Sequence, residues 1–209
     1  MIKPARYLLT DWFWRQYYKF IIQADFSQFS FNQDIDISRE KALLVLANHF
    51  SWWDGFLLYH LNELFFHKRF HVMMLQEQLK QYSFLRYSGA YSVQRKGKSL
   101  LESLQYTSRL LENPGNIVLI FPQGKIESMH TPYIHFEKGI KHIADHCEKD
   151  IQILFSVALV DYASQRKPAL QLYLKEYTHQ KTCSLAEMEM AFNEHYQQSL
   201  RCQRNRLSK

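Results

Sequence analysis

Residues 42–54 read Ala42-Leu-Leu-Val-Leu-Ala47-Asn48-His49-Phe50-Ser51-Trp52-Trp53-Asp54. Six apolar residues in succession, broken by Asn48, predict a short buried strand. A helical stretch is expected to follow from about Ser51 to Leu64. Working outward, Phe70–Leu75 and Ile117–Phe121 repeat the pattern of a short apolar run. The second run is cut by Pro122 and Gly124, and it follows the turn Asn113-Pro114-Gly115-Asn116. Between the two runs, Leu85–Val93 reads as loop and strand, and Ser99–Glu112 has helical periodicity.

Beyond Pro122, Phe136–Lys149 reads as a helix, and Ile151–Val160 and Leu170–Glu176 as strands joined by a polar turn through Gln165, Lys167 and Pro168. Ser184 with Glu187 forms a capping box for a last helix reaching about Leu200. The basic tail from Arg201 to Lys209 is expected to fray. Strands alternating with helices predict one α/β domain, a mixed β-sheet flanked by helices, with the active site at strand ends. No internal repeat is visible.

The same opening stretch carries chemistry. His49 and Asp54 are a base and a carboxylate with four residues between them. If Asp54 holds one imidazole nitrogen, the other takes a proton from a hydroxyl, and the substrate supplies the nucleophile. On one continuous helix, five residues turn by roughly 500°, which leaves the two side chains about 140° from facing. The pair therefore works only if His49 precedes the helix. A second reading stands beside it: Ser51-x-x-Asp54 matches a capping box, in which Asp54 satisfies backbone donors.

Asn48-His49-x4-Asp54 resembles the first block of the glycerolipid acyltransferase family, which includes the bacterial lysophosphatidic acid acyltransferases. Gly89-Ala-Tyr91-Ser92-Val93-Gln94-Arg95 resembles the second block, and Phe121-Pro122-Gln123-Gly124-Lys125-Ile126-Glu127-Ser128 the third. The fourth falls at Ile153–Leu159, where Ser156 replaces a proline. The blocks keep the family's order and cover residues from about 40 to 175.

The resemblance implies an O-acyltransferase that moves a fatty acyl group from an acyl-CoA or acyl carrier protein thioester to a hydroxyl of a lysophospholipid or related lipid. His49 would be general base and Asp54 its orienter. Arg95 would bind acceptor phosphate, and Phe121, Pro122, Gln123, Gly124 and Lys125 would contribute to substrate binding. Backbone N–H groups near Gly124 would stabilise an oxyanion, and an apolar tunnel would take the acyl chain. No metal or cofactor is implied, only the thioester as co-substrate. The third block departs from the family pattern. Gln123 stands for a glutamate, Lys125 for a threonine and Ile126 for an arginine, so a phosphate-bearing acceptor loses one expected anion partner. Two other classes share these features: a phospholipid-binding protein without catalysis, and a hydrolase of acyl thioesters.

Composition sets the remaining bounds. Of 209 residues, 32 are Phe, Tyr or Trp (15, 13 and 4), and the formal charge is +6, which suits an anionic membrane surface or a nucleic acid. No nucleic-acid motif is present, so lipid is the expected partner. Ten aromatics lie within the first 31 residues, among them Trp12, Phe13, Trp14, Tyr17 and Phe20, interleaved with Lys3, Arg6, Arg15 and Lys19. Residues 1–30 are therefore expected to form an amphipathic, aromatic and basic helix at the membrane interface, with 31–209 as the acyltransferase domain. Packing into the core is the competing expectation for that helix. No run of about eighteen uncharged apolar residues predicts a spanning helix. With no signal peptide read, the expected location is peripheral, on the cytoplasmic face of a membrane. Cys147, Cys183 and Cys202 lack disulfide or zinc spacing. His142 and His146 lie four apart, but no third ligand accompanies them.

Overall fold

The computed structural model of the chain describes residues 1–5, 8–178 and 184–207. Helix α1 (Leu8–Asp25) leads into a four-residue edge strand β1 (Gln28–Phe31), then β2 (Ala42–Ala47) and α2 (Asp54–Leu61). A π-helical turn, Asn62–Phe66, extends α2 before β3 (Arg69–Leu75), α3 (Gln76–Gln81) and a 3-10 segment, Ser83–Ser88. The second half runs β4 (Ala90–Val93), α4 (Lys98–Leu110), β5 (Asn116–Ile120), α5 (Gly139–Asp145), β6 (Ile151–Asp161), β7 (Ala169–Tyr177) and α6 (Leu185–Leu207).

One sheet of seven strands, in the order β1-β7-β6-β2-β5-β3-β4, organises these elements. Strands β2 to β6 run parallel, and β7 returns antiparallel to β6 with β1 alongside it. The fold is thus a single α/β domain with a mixed sheet. Strand β2 is central and wholly buried. Leu43, Val45 and Ala47 face one apolar core with α1 and α2, while Ala42, Leu44 and Leu46 face the other with α4, α5 and α6. Burial on both faces explains why β2 reads as a continuous apolar run rather than an alternating one.

Chain connections leave β2 and β5 in opposite directions, β2 to β3 and β5 to β6. The crevice between their carboxyl ends is where α/β sheets place ligands. His49 follows β2 and Phe121 follows β5, so both lie at that crevice.

Several sequence expectations need correction at their boundaries. The helix expected over 136–149 spans only Gly139–Asp145, because residues 121–138 form a long loop pinned by side chains rather than by helical bonds. The tail expected to fray continues α6 to Leu207. Its Tyr173–Gln203 and Gln203–Asp161 side-chain bonds tie that extension to β6 and β7. The start of α6 is capped as expected: Ser184 N–H donates to Glu187 Oε2 at 2.5 Å, and Glu187 N–H to Ser184 Oγ at 3.2 Å. Residues 28–30, expected within the helical segment, instead form β1 with Phe31 and pair with β7. Cys183, Arg6 and Lys209 lie outside the described residues.

Helix α1 uses its two faces differently. Trp14, Tyr18 and Ile22 are buried in the core, and Tyr18 stacks on Phe56 of α2 with ring centroids 4.7 Å apart. Trp12, Phe13 and Phe20 are 65%, 51% and 69% exposed. No helix of the described residues is long and apolar enough to cross a membrane.

Candidate active site

The strand β2 ends at Ala47, and Asn48 prolongs its pairing by a side chain. Asn48 Nδ2 donates to the Ala158 carbonyl at 3.0 Å, and Ala158 N–H donates to Asn48 Oδ1 at 2.8 Å. This amide fixes the chain to β6 at the point where the ladder stops. His49 therefore leaves the sheet from a rigid support.

Helix α2 does not begin until Asp54, so residues 48–53 form the break that the spacing of His49 and Asp54 required. His49 Nδ1 donates to Asp54 Oδ2 at 2.8 Å. The same oxygen accepts the backbone N–H groups of Phe50 and Ser51, at 2.8 and 2.9 Å. Both readings of Asp54 thus describe one atom, since the oxygen that satisfies the turn's donors also holds the imidazole. Asp54 is fully buried. Burial pushes its carboxyl above the ordinary carboxylate range, and the donors from His49, Ser51 and Phe50 only partly oppose this. With Nδ1 facing a carboxylate oxygen, the ring proton sits on Nδ1 and Nε2 is left with its lone pair.

The ring is clamped from one side by Phe121, stacked at 4.0 Å between centroids and 14° between planes. The third block supplies further support. His49 N–H donates to Gln123 Oε1 at 2.6 Å, Gln123 Nε2 donates to Glu127 Oε2 at 2.7 Å, and Glu127 N–H donates to the His49 carbonyl at 2.9 Å. Gln123 and Glu127 thereby close a ring of hydrogen bonds around the His49 backbone. Glu127 also pairs with Lys125 at 2.9 Å. Its carboxyl is held below the ordinary range, first by the Gln123 bond and then by Lys125.

Gly124 turns the loop. Its φ is +64°, the left-handed region that favours glycine, and a Cβ there would also crowd Glu137 Cγ at 3.1 Å. Its N–H donates to the Phe121 carbonyl at 3.1 Å, which removes that donor from the set available to an oxyanion. Pro122 is buried, and its carbonyl accepts Glu137 N–H at 2.8 Å. Helix α6 pins the rest of the long loop: Asn193 exchanges two bonds with Ile134, and Glu189 accepts Phe136 N–H at 2.7 Å.

A cleft opens beside His49 and runs under α2 toward β3 and β4. Its walls are mostly apolar, with Trp52, Phe56, Phe70, Met73, Leu85 and Ile126 among them, and Lys125 is the only Lys or Arg among the described residues that line it. Trp52 packs edge-on against Phe56 and Tyr82, whereas Trp53 is exposed.

Six of the sequence-derived positions are thus brought together: His49, Asp54, Phe121, Gln123, Gly124 and Lys125, with Pro122 buried behind them. Arg95 is not. It sits exposed after β4 at the sheet's edge, on the carboxyl side but outside the cleft wall. Asn48 and Glu127 were within the blocks but carried no assigned role. The signal for Glu127 was the unusual pairing of an amide at 123 with an acid four residues later. Among the described residues no group of His, Cys, Asp and Glu suits a metal. His142 and His146 stack on each other, and His146 Nδ1 donates to the His142 carbonyl at 2.8 Å.

Comparison with known proteins agrees with the geometry. No curated protein sequence matches the chain. Among solved structures, the fold is similar to the 1-acyl-sn-glycerophosphate (LPA) acyltransferase PlsC of Thermotoga maritima. The TM-score is 0.63 at 18% identity, over 89% of this chain and 76% of that one. The sequence profile of the Acyltransferase family matches residues 28–158, more than half of the chain and all of the dyad, the clamp and the strands that hold them, so the protein belongs to the Acyltransferase family.

Proposed function

We propose that this acyltransferase moves a fatty acyl group from an acyl-CoA or acyl carrier protein thioester to the hydroxyl of a lysophospholipid or related lipid alcohol. His49 is the general base and Asp54 its orienter. The observation that carries this reading is the 2.8 Å bond from His49 Nδ1 to a fully buried carboxylate, at the mouth of an apolar cleft.

The acceptor hydroxyl gives its proton to His49 Nε2 as its oxygen attacks the thioester carbonyl carbon. The tetrahedral oxyanion then collapses. The carbon–sulfur bond breaks, the imidazolium returns the proton to the leaving thiolate, and an ester and a free thiol result. Asp54 stabilises the imidazolium while it exists. Lys125 and Ile126 follow the Gly124 turn and line the cleft, and their backbone N–H groups are the donors proposed for the oxyanion. The cleft holds the acyl chain, as its Met and aromatic walls favour. No covalent acyl-enzyme and no metal is invoked.

Acyl lipid substrates partition into bilayers, and the exposed aromatics of α1 support a peripheral position on a membrane surface, with residues 1–30 as the contacting segment. The cytoplasmic face follows from the thioester donors.

The test is thiol release from a long-chain acyl thioester, with products identified by mass spectrometry across a panel of lipid acceptors. His49→Ala should lose roughly 3 kcal/mol or more of transition-state stabilisation, about a hundredfold or greater fall in kcat. Acceptor-dependent release abolished in the variant establishes the transferase. Release without acceptor points to hydrolysis, and no release from any thioester points to lipid binding alone.

A further inference from the structure

Among the described residues, Lys125 is the one Lys or Arg that lines the cleft beside His49, and it is already paired. Glu127 Oε1 lies 2.9 Å from Lys125 Nζ, and the carboxylate is held from its other oxygen by Gln123 Nε2 at 2.7 Å. Glu127 is not a mobile surface acid. Its side chain is 19% exposed, and its own N–H is bonded to the His49 carbonyl. The acid is therefore placed by the loop that places the base. Next along the wall, Ile126 is apolar.

These facts decide what charge the site tolerates next to the reacting hydroxyl. A phosphomonoester carries close to two negative charges at neutral pH. To be held there it needs an unpaired cation or a fork of donors. Among the described residues the wall offers instead Lys125, already paired with Glu127, and an isoleucine. Arg95 does not line the cleft. A phosphomonoester approaching His49 must compete with Glu127 for Lys125, whereas an uncharged alcohol leaves that pair intact.

We propose that Glu127 is a specificity-determining residue: by holding Lys125 in an ion pair beside His49, it selects acceptors whose reacting hydroxyl has no neighbouring phosphomonoester. The acceptor class is then an uncharged lipid alcohol such as a monoacylglycerol. This rests on the acyl transfer proposed above and narrows its substrate. Discrimination here arises from a repulsive element as much as from an attractive one.

The experiment compares two acceptors that differ only in the phosphate, a 1-acylglycerol and the corresponding 1-acylglycerol 3-phosphate, with one acyl thioester as donor. The readout is the ratio of their kcat/KM values, which cancels any loss common to both. The native protein should favour the uncharged acceptor. Glu127→Gln, which leaves Lys125 unpaired, should move the ratio toward the phosphate-bearing acceptor by about tenfold or more. Glu127→Gln combined with Lys125→Gln should return it most of the way. A native preference for the phosphate-bearing acceptor overturns the proposal, and so does a ratio that Glu127→Gln leaves unchanged while transfer persists. Transfer to either acceptor that vanishes in His49→Ala shows that the general reading survives such a failure. No transfer to either acceptor in the native protein overturns both.

Discussion

At the residue scale the site depends on one oxygen. Asp54 Oδ2 takes three donors, from His49 Nδ1, Phe50 N–H and Ser51 N–H, in a place without solvent. Two opposing effects meet there. Burial raises the carboxyl's pKa and the donors lower it, and burial is the larger. The sign of the consequence follows. The folded protein binds a proton on Asp54 more readily than the unfolded chain does. This group's contribution to stability is therefore fully present below the unfolded carboxylate pKa and is lost as pH rises through the higher folded value. In the proposed mechanism activity runs the other way, because it is the ionised carboxylate that stabilises the imidazolium. The acid limb of the kcat profile should thus lie above the ordinary carboxylate pKa, in the window where stability declines. Asp54→Asn should lower kcat by on the order of 10³-fold or more with little change in KM, since the amide can present a donor to Nδ1 and favour the wrong tautomer. Nitrogen NMR of the His49 ring reads that tautomer directly. A variant with normal kcat and a native pH profile would remove Asp54 from the mechanism.

At the scale of elements, two latches hold opposite ends of the sheet. At the amino end, Lys68 Nζ donates to the carbonyls of Ser38, Lys41 and Pro114 at 2.9, 3.0 and 2.7 Å, tying the approaches to β2 and β5 together. At the carboxyl end, Asn193 of α6 exchanges bonds of 2.7 and 2.8 Å with Ile134 in the long loop that begins with Phe121. Lys68→Met strips three half-buried carbonyls of a charged donor, Asn193→Leu strips the buried backbone of Ile134 of its partner, and each should cost about 2 kcal/mol in denaturant unfolding. Their effects on turnover should differ. Lys68→Met should keep kcat, whereas Asn193→Leu loosens the loop that carries Gln123 and Glu127 and should lower kcat as well. Equal effects on kcat would mean that the loop is held by something else. The same contrast shows what the sequence discloses. Strand β2 and the break after it were legible because both faces of the strand are buried and because His49 and Asp54 cannot meet on a continuous helix. Strand β1 was not, because its four residues pair with β7, whose partners begin at Ala169, and nothing local marks so distant a contact. The shortness of α5 was hidden for the same reason: the loop before it is held by α6, not by its own periodicity. The ring through Gln123 and Glu127 needed both the turn at Gly124 and the position of β2, which sequence order alone does not place together.

At the scale of the whole molecule, the question is how the proposed membrane-borne acceptor reaches a cleft when no helix of the described residues can span a bilayer. Helical geometry sorts the aromatics of α1. Trp12, Phe13, Phe20 and Tyr17 fall within an arc of roughly 140°, while Trp14, Tyr18 and Ile22 occupy roughly 80° on the far side. The second arc is buried against α2, and the first is exposed, from 40% at Tyr17 to 69% at Phe20. Phe84 and Trp53, exposed at 43% and 41%, continue the surface toward the 3-10 segment and the start of α2. Tyr18 of α1 and Phe56 of α2 line the cleft, so the helix that carries the exposed aromatics also forms part of the cleft wall. If this surface docks, burying each exposed ring contributes about 1.5–3 kcal/mol at most, an amount that partial insertion reduces. Trp12→Gln with Phe20→Gln should therefore weaken association with anionic phospholipid vesicles by about tenfold or more in sedimentation. Tm should stay near the native value, because neither side chain is buried. Turnover of a short-chain, water-soluble acceptor should be unchanged, and turnover of vesicle-borne acceptor should fall with binding. That split separates docking from catalysis. Unaltered vesicle binding in the double variant would place the contact elsewhere, and a loss of both activities would show that the outer face of α1 supports the cleft rather than the membrane.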